Sequence, residues 1–183
     1  ALQAVRRLLA AHEAWPALAV DRHWNVVAAN RVVHALLASV DLPAFDATHG
    51  APLNVLRLSL HPQGLAPMIE GLPAWRAHVL ARLERALAAG GDEVLAALLQ
   101  ELRAYPVPVD GTGDAAHDTD AVVVPLVLNA PTGRLAFLTT VTVFGAPQDV
   151  TLSELAIETL LPADEATAGA LRALHATLPA DEA

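Results

Sequence analysis

Cysteine is absent from the 183 residues, which removes disulfides, thiolate metal sites and cysteine nucleophiles at once. Lysine is absent too. All 11 cationic side chains are arginines, set against 20 acidic residues, for a net charge of −9. Neutralising DNA takes about 6–10 clustered cations. Only Arg6 and Arg7 are adjacent here, so this chain is not expected to bind nucleic acid by itself. No apolar run reaches the ~18 residues of a membrane span, and residues 1–12 carry helix-spaced apolar positions, not a secretory signal. The cytoplasm is therefore the expected compartment. Serine is scarce: Ser39, Ser59 and Ser153 are the full set, and none lies in a G-x-S-x-G elbow. No internal repeat is visible.

What is abundant is apolar. Hydrophobic residues make up 54% of the chain, enough for a large interior in a single domain of this length. Residues 1–12 read as a short helix with Val5, Leu8, Leu9 and His12 on one side, broken by Trp15-Pro16. ALAV (17–20) and WNVVAA (24–29) read as two strands joined by the turn Asp21-Arg22-His23. Asn30 caps the next helix, where Val33, Leu36, Leu37 and Val40 share a face. From 42 to 73 the prolines and glycines permit only short helical turns, around 54–60 and 65–70.

Two firm helices follow. Residues 73–89 start with Pro73 and stop at Gly90-Gly91. Residues 92–105 have Asp92 as cap and Leu95, Leu98, Leu99 and Leu102 on one stripe, and the two-glycine connection makes the pair neighbours. A polar, acidic loop (110–120) leads to AVVVPLVLN (121–129) and RLAFLTTVTVF (134–144), a second antiparallel pair turning at APTG. Pro125 lacks a ladder donor, so its strand belongs at an edge or carries a bulge. TLSELAIETLLPAD reads equally as strand or helix, and 164–178 as a helix with Leu171 and Leu174 inward. Strands at both ends with helices between predict an α+β fold, an antiparallel sheet with helices on one face.

The order strand, Asp turn, strand, capping Asn, as in Val20-Asp21, Val26 and Asn30, resembles the start of a PAS domain. Further signatures extend the likeness: WPALAVDRHWNVVAANR, LNVLRLSLHPQG, LPAWRAHVLARL, then VVVPL…LAFLTTVTVFG and DVTLSELAIETLLPAD. In that order, over nearly the whole chain, they resemble the ligand-binding domain of MmyB-like transcription regulators. In those proteins the domain follows an XRE-type helix-turn-helix. The resemblance implies a PAS-like five-stranded antiparallel sheet, helices over one face, and an apolar cavity for a fatty-acid-like ligand. It makes 153–161 the last strand. It divides the chain into a linker helix, 1–12, and a ligand-binding domain, 13–183, whose DNA-binding partner domain lies outside this sequence. The first residue is Ala and not Met, as expected of a piece of something longer.

Candidate chemistry is thin. Asp21 and His23 lie two apart on a turn, poor geometry for a proton relay, so no catalytic residue is expected. Eight His form no H-x-x-x-H or H-E-x-x-H pair, and Ala121 stands where a calcium loop opened by Asp110 needs Glu. Neither metal nor cofactor is expected. Arg76 falls inside the apolar arc that runs from Trp75 through Val79, Leu83 and Leu87 to Leu80, in the first turn of its helix. That makes it a candidate anchor for a carboxylate, the other reading being a side chain that reaches to water. Arg57 is a second candidate. Trp24, Trp75, Val79, Leu80, Leu83, Phe137, Thr139 and Val141 are candidate pocket walls or plain core, with Asn30 at the edge of the set.

Two functions remain open. One is a sensor of an apolar small molecule such as a fatty acid, within a transcription regulator, with homodimerisation as a further expectation. The other is an interaction or dimerisation module with a solid core. A cavity of about 300 Å³ or more between sheet and helices separates them.

Overall fold

The computed structural model describes residues 2–12, 14–106, 124–144 and 154–179. Five strands form one antiparallel sheet: β1 (Ala17–Val20), β2 (Val26–Ala29), β3 (Leu126–Ala130), β4 (Gly133–Val143) and β5 (Ala156–Pro162), in the spatial order β2-β1-β5-β4-β3. The helices are α1 (Leu2–Ala11), α2 (Arg31–Leu36), α3 (Leu42–His49), α4 (Val55–Leu60), α5 (Leu72–Gly90), α6 (Glu93–Ala104) and α7 (Glu165–Thr177). The α+β expectation holds. The ambiguous segment is a strand, and β5, last in the chain, is central in the sheet, pairing with both β1 and β4. The acidic loop 110–120 and residues 121–123 of the expected strand lie outside the described residues.

Local chemistry sets most boundaries. Asn30 caps α2 by accepting from the Val33 amide at 3.2 Å, and Asp92 caps α6 by accepting from Val94 at 2.8 Å. Gly91 ends α5 in the left-handed region at φ 63°, and its amide donates to the Leu87 carbonyl at 2.8 Å. Pro125 precedes β3, which starts at Leu126 and lies at the sheet edge. The expectation of only short turns from 42 to 73 missed α3, eight residues long. Asp41 caps it through the Ala44 amide, and Pro43 falls in its first turn, where the missing N–H is harmless.

The main core lies between one face of the sheet and the helices. It joins Leu72, Trp75, Val79 and Leu83 of α5, the α6 stripe Leu95, Leu98, Leu99 and Leu102, Phe137 of β4 and Leu171 of α7. Each such side chain contributes roughly 1.5–3 kcal/mol when fully buried. The far face of the sheet carries α1, whose Val5 and Leu9 pack with Ala17, Ala19 and Ile157. Leu8, expected on the same side, is exposed. The segment expected as a connection is thus itself docked by two buried side chains, and β1, covered on both faces, is buried throughout.

Candidate functional site

The turn between β1 and β2 is built tightly. The Asp21 carboxylate accepts from the His23 amide at 2.8 Å and from the Asn25 amide and side chain, each at 2.9 Å. Asn54, the cap of α4, donates to the His23 carbonyl at 2.8 Å. Between these ties Trp24 is held at φ 69°, a left-handed conformation that a bulky side chain rarely adopts and that costs on the order of 1 kcal/mol or more. Holding it there places the indole under the guanidinium of Arg82, whose central carbon stands 3.9 Å from the ring centroid. His23 also reaches the Asp92 carboxylate at 2.9 Å, fastening the turn to the start of α6. That contact is the largest cause holding the Asp92 carboxyl below its ordinary range.

Behind the turn, between the core face of the sheet and α2, α4 and α5, is a cavity of about 150 Å³. Its apolar wall includes Leu18, Leu126 and Leu160 from the sheet and Val33, Leu58 and Val79 from the helices. The two layers are therefore not in full contact. The space is about half the 300 Å³ set as the mark of a ligand pocket, so its volume alone does not separate a sensor from an interaction module; it is comparable to a void that holds one benzene ring. Leu36, Leu37 and Leu42, around the α2–α3 connection, form another side of it. A wider and more polar groove of about 870 Å³ runs between α1 and β2, past Arg6, Arg7 and Asn30.

The polar groups in the cavity wall are few. Ser59 accepts from the Trp75 indole N–H at 2.8 Å, satisfying a donor that would otherwise be stranded. Arg82 of α5 and Glu158 of β5 form an ion pair with Nη1 to Oε1 at 3.0 Å. Glu158 is only 6% exposed. The Nη2 of Arg82 is buried and has no hydrogen-bond partner. Buried donors are nearly always satisfied, so this one demands an explanation.

The structure distributes the expected residues as follows. Trp75, Val79 and Thr139 line the cavity. Trp24 stands behind Arg82. Leu83 and Phe137 are fully buried in the packed core, with Leu80 at its margin. Val141 is 44% exposed. Asn30 spends itself on backbone, accepting from the Val33 and Ala17 amides and donating to the Trp15 carbonyl. Neither expected anchor is in the cavity wall. Arg76 turns toward α6 and donates to the carbonyls of Leu102 at 3.3 Å and Arg103 at 2.7 Å, covering the end of that helix. Arg57 makes a two-pronged bond to Glu101 at 2.7 and 2.8 Å, joining α4 to α6. That pairing draws the Glu101 carboxyl below its usual range, and Glu101 also accepts from the Tyr105 hydroxyl. Beside it the rings of Phe45, His49, His61 and Tyr105 follow one another in contact, the first pair tilted and the next two edge to face.

Arg82 and Glu158 went unpredicted, though a signal exists for one. At about 100° per residue, Arg82 sits some 20° beyond Trp75, on the opposite flank of the apolar arc from Arg76. Arg82 borders the stripe at its Trp75 end, and Arg76 lies within it toward the Leu80 end. Which flank meets the sheet is a tertiary fact. Glu158 alternates with Ile157 and Thr159, and a charge on one face of a strand reads as solvent-facing. Here it pairs across from Leu18, on the face the helices cover.

Among the described residues no three His, Cys, Asp or Glu side chains converge as a metal would require, and no helix is long and apolar enough to cross a membrane. In comparison with known proteins, a family model described as MmyB-like transcription regulator ligand binding domain matches residues 2–174. No curated protein matches the chain.

Proposed function

The chain belongs to the MmyB-like transcription regulator ligand-binding domains, and on that premise we propose that it is a non-catalytic sensor whose ligand is an apolar small molecule. The observation that carries the proposal is the cavity between sheet and helices, walled mostly by leucine and valine. Each methylene buried there contributes about 0.8 kcal/mol, so affinity comes from the body of the ligand more than from its head. At about 150 Å³ the cavity admits a compact ring or a short stretch of acyl chain as it stands. A fatty acid of a dozen carbons requires the wall at Leu36, Leu37 and Leu42 to move outward.

Regulation follows from the two faces of β1. Leu18 borders the cavity, while Ala17 and Ala19, on the opposite face, carry α1. A ligand that displaces β1 therefore changes the seat of α1, the segment leading toward an XRE-type helix-turn-helix domain outside this sequence. It alters DNA binding only to the extent that it prefers one of the two arrangements. The proposed setting is the cytoplasm. Homodimerisation is part of the same reading, supported by exposed Val141 and Val143 on one face of β4 and checked by sedimentation.

Native mass spectrometry of the purified chain, with and without a panel of fatty acids and six-carbon ring compounds, tests the sensor reading. Co-purifying or added apolar cargo is expected, with slowed amide exchange in β1 and α1. A protein that takes up nothing is an interaction module instead.

A further inference from the structure

Arg82 is the arginine in the cavity wall, and Glu158 at 3.0 Å already answers its charge. The two expected anchors are committed elsewhere, Arg57 to Glu101 and Arg76 to the carbonyls that end α6. Uncommitted arginines line the neighbouring space instead, the groove between α1 and β2. Val26, Ala29 and His34 line both cavity and groove. β2 is the outermost strand of the sheet on this side. Leu53 covers its edge at one end, where its carbonyl accepts from the Val26 amide at 2.7 Å. At the other end Ala29 and Val26 are half-buried and His34 is exposed, so the two spaces adjoin where solvent reaches both. The charge of the groove is opposite to that of the chain. Against 20 acidic residues and 11 arginines overall, its lining holds Arg6 and Arg7 and no Asp or Glu. Among the described residues neither arginine has a carboxylate partner.

Building on the sensor reading, we infer that a fatty-acid-like ligand lies across the free edge of β2, its tail in the cavity and its carboxylate in the groove on Arg6 and Arg7. The two ends of such a ligand ask for different surroundings, and the two spaces supply them. The tail is buried among leucines and valines, where most of the affinity arises. The head stays in contact with water and so avoids the cost of burying a charge, while two guanidiniums offer it charge-assisted hydrogen bonds. Selection for an acid over a neutral head of equal length then comes from α1. The same contact makes α1 part of the site: a bound acid ties the helix that precedes β1 directly to the contents of the cavity. Asn30, the neighbouring polar group of the groove, is not available for the head, because its side chain is spent on backbone.

The test uses two probes with one tail, octanoate and 1-octanol, titrated into the 183-residue chain at pH 8, where the carboxyl is ionised, and followed by NMR. Both are expected to shift amides of the cavity wall, such as those of Leu58 and Val79. Octanoate alone should shift the Nε–H resonances of Arg6 and Arg7. The double variant Arg6→Gln/Arg7→Gln alters two exposed positions, so the fold is not at stake. It should weaken octanoate about five-fold or more and leave 1-octanol within about two-fold. Arg76→Gln should not change the ratio of the two affinities. A double variant that holds octanoate as wild type does, or that loses both probes alike, overturns the inference. So does octanoate that shifts the two arginines without the cavity wall, or an Arg76→Gln variant that loses octanoate selectively. In each of these cases 1-octanol bound at the wall leaves the sensor reading standing. If neither probe binds, the cavity receives no acyl chain and both readings fall.

Discussion

Breaking the Arg82–Glu158 pair from one side and then from both is the sharpest check on how this interior is built. The closest nitrogen and oxygen are 3.0 Å apart, which at an effective dielectric near 20 corresponds to an attraction on the order of 5 kcal/mol. Desolvation of the two groups consumes much of that, so the pair's net worth is small while the penalty for orphaning one member is large. Glu158→Leu leaves the guanidinium buried beside an apolar wall. Arg82→Met strands a carboxylate that is 6% exposed. Each single substitution is expected to cost about 3–5 kcal/mol. The lower end applies to Glu158→Leu, because the Arg82 head keeps the Trp24 face and 19% side-chain exposure. For a domain of this size about 3 kcal/mol lowers Tm by roughly 6–12 °C. The double variant should return to within about 1 kcal/mol of wild type, since two side chains of similar reach then fill the same space without charge. Urea denaturation of the four proteins gives the cycle directly. Single variants that lose less than about 0.5 kcal/mol, or a double variant whose loss equals the sum of the singles, would refute the picture of a desolvated, mutually dependent pair.

Three other outcomes follow from the structure. Asn30→Ala removes a buried side chain that serves two amides and one carbonyl, and should cost about 2–4 kcal/mol in urea unfolding; a change below about 0.5 kcal/mol would show that water replaces it. Gly64→Ala would bring a Cβ within 2.1 Å of the Leu58 carbonyl oxygen, so it should destabilise by about 1–3 kcal/mol or more; a thermal midpoint equal to wild type would contradict that close approach. Stability should also fall on acidification from pH 7.5 to 5.5, because burial, then His49, holds the His61 imidazole below its ordinary range, and burial holds His78 there too. The unfolded chain takes up protons as pH drops through about 6.5 while the folded groups resist, so the loss begins there and grows until the folded groups titrate. Thermal melts across that window check it, and the double variant His61→Asn/His78→Asn should flatten the slope.

Much of the architecture was written in local patterns. The α6 stripe of four leucines, the caps Asn30 and Asp92, the double glycine after α5 and the two-residue turn at Pro131-Thr132 each report a backbone demand that neighbouring residues settle among themselves. Periodicity also placed Trp75 and Val79 on the inward face of α5, and they line the cavity. It was silent on distances between elements. Whether Arg76 or Arg82 meets the sheet depends on how α5 rolls against α6, within a core that Leu83 of one helix shares with Leu99 and Leu102 of the other. Burial of Glu158 depends on helices covering the even-numbered face of β5 while α1 covers the odd one. Alternation within a strand distinguishes two faces but cannot say that both are covered. A charge becomes buried, and a void acquires its chemistry, only when separate layers close on each other.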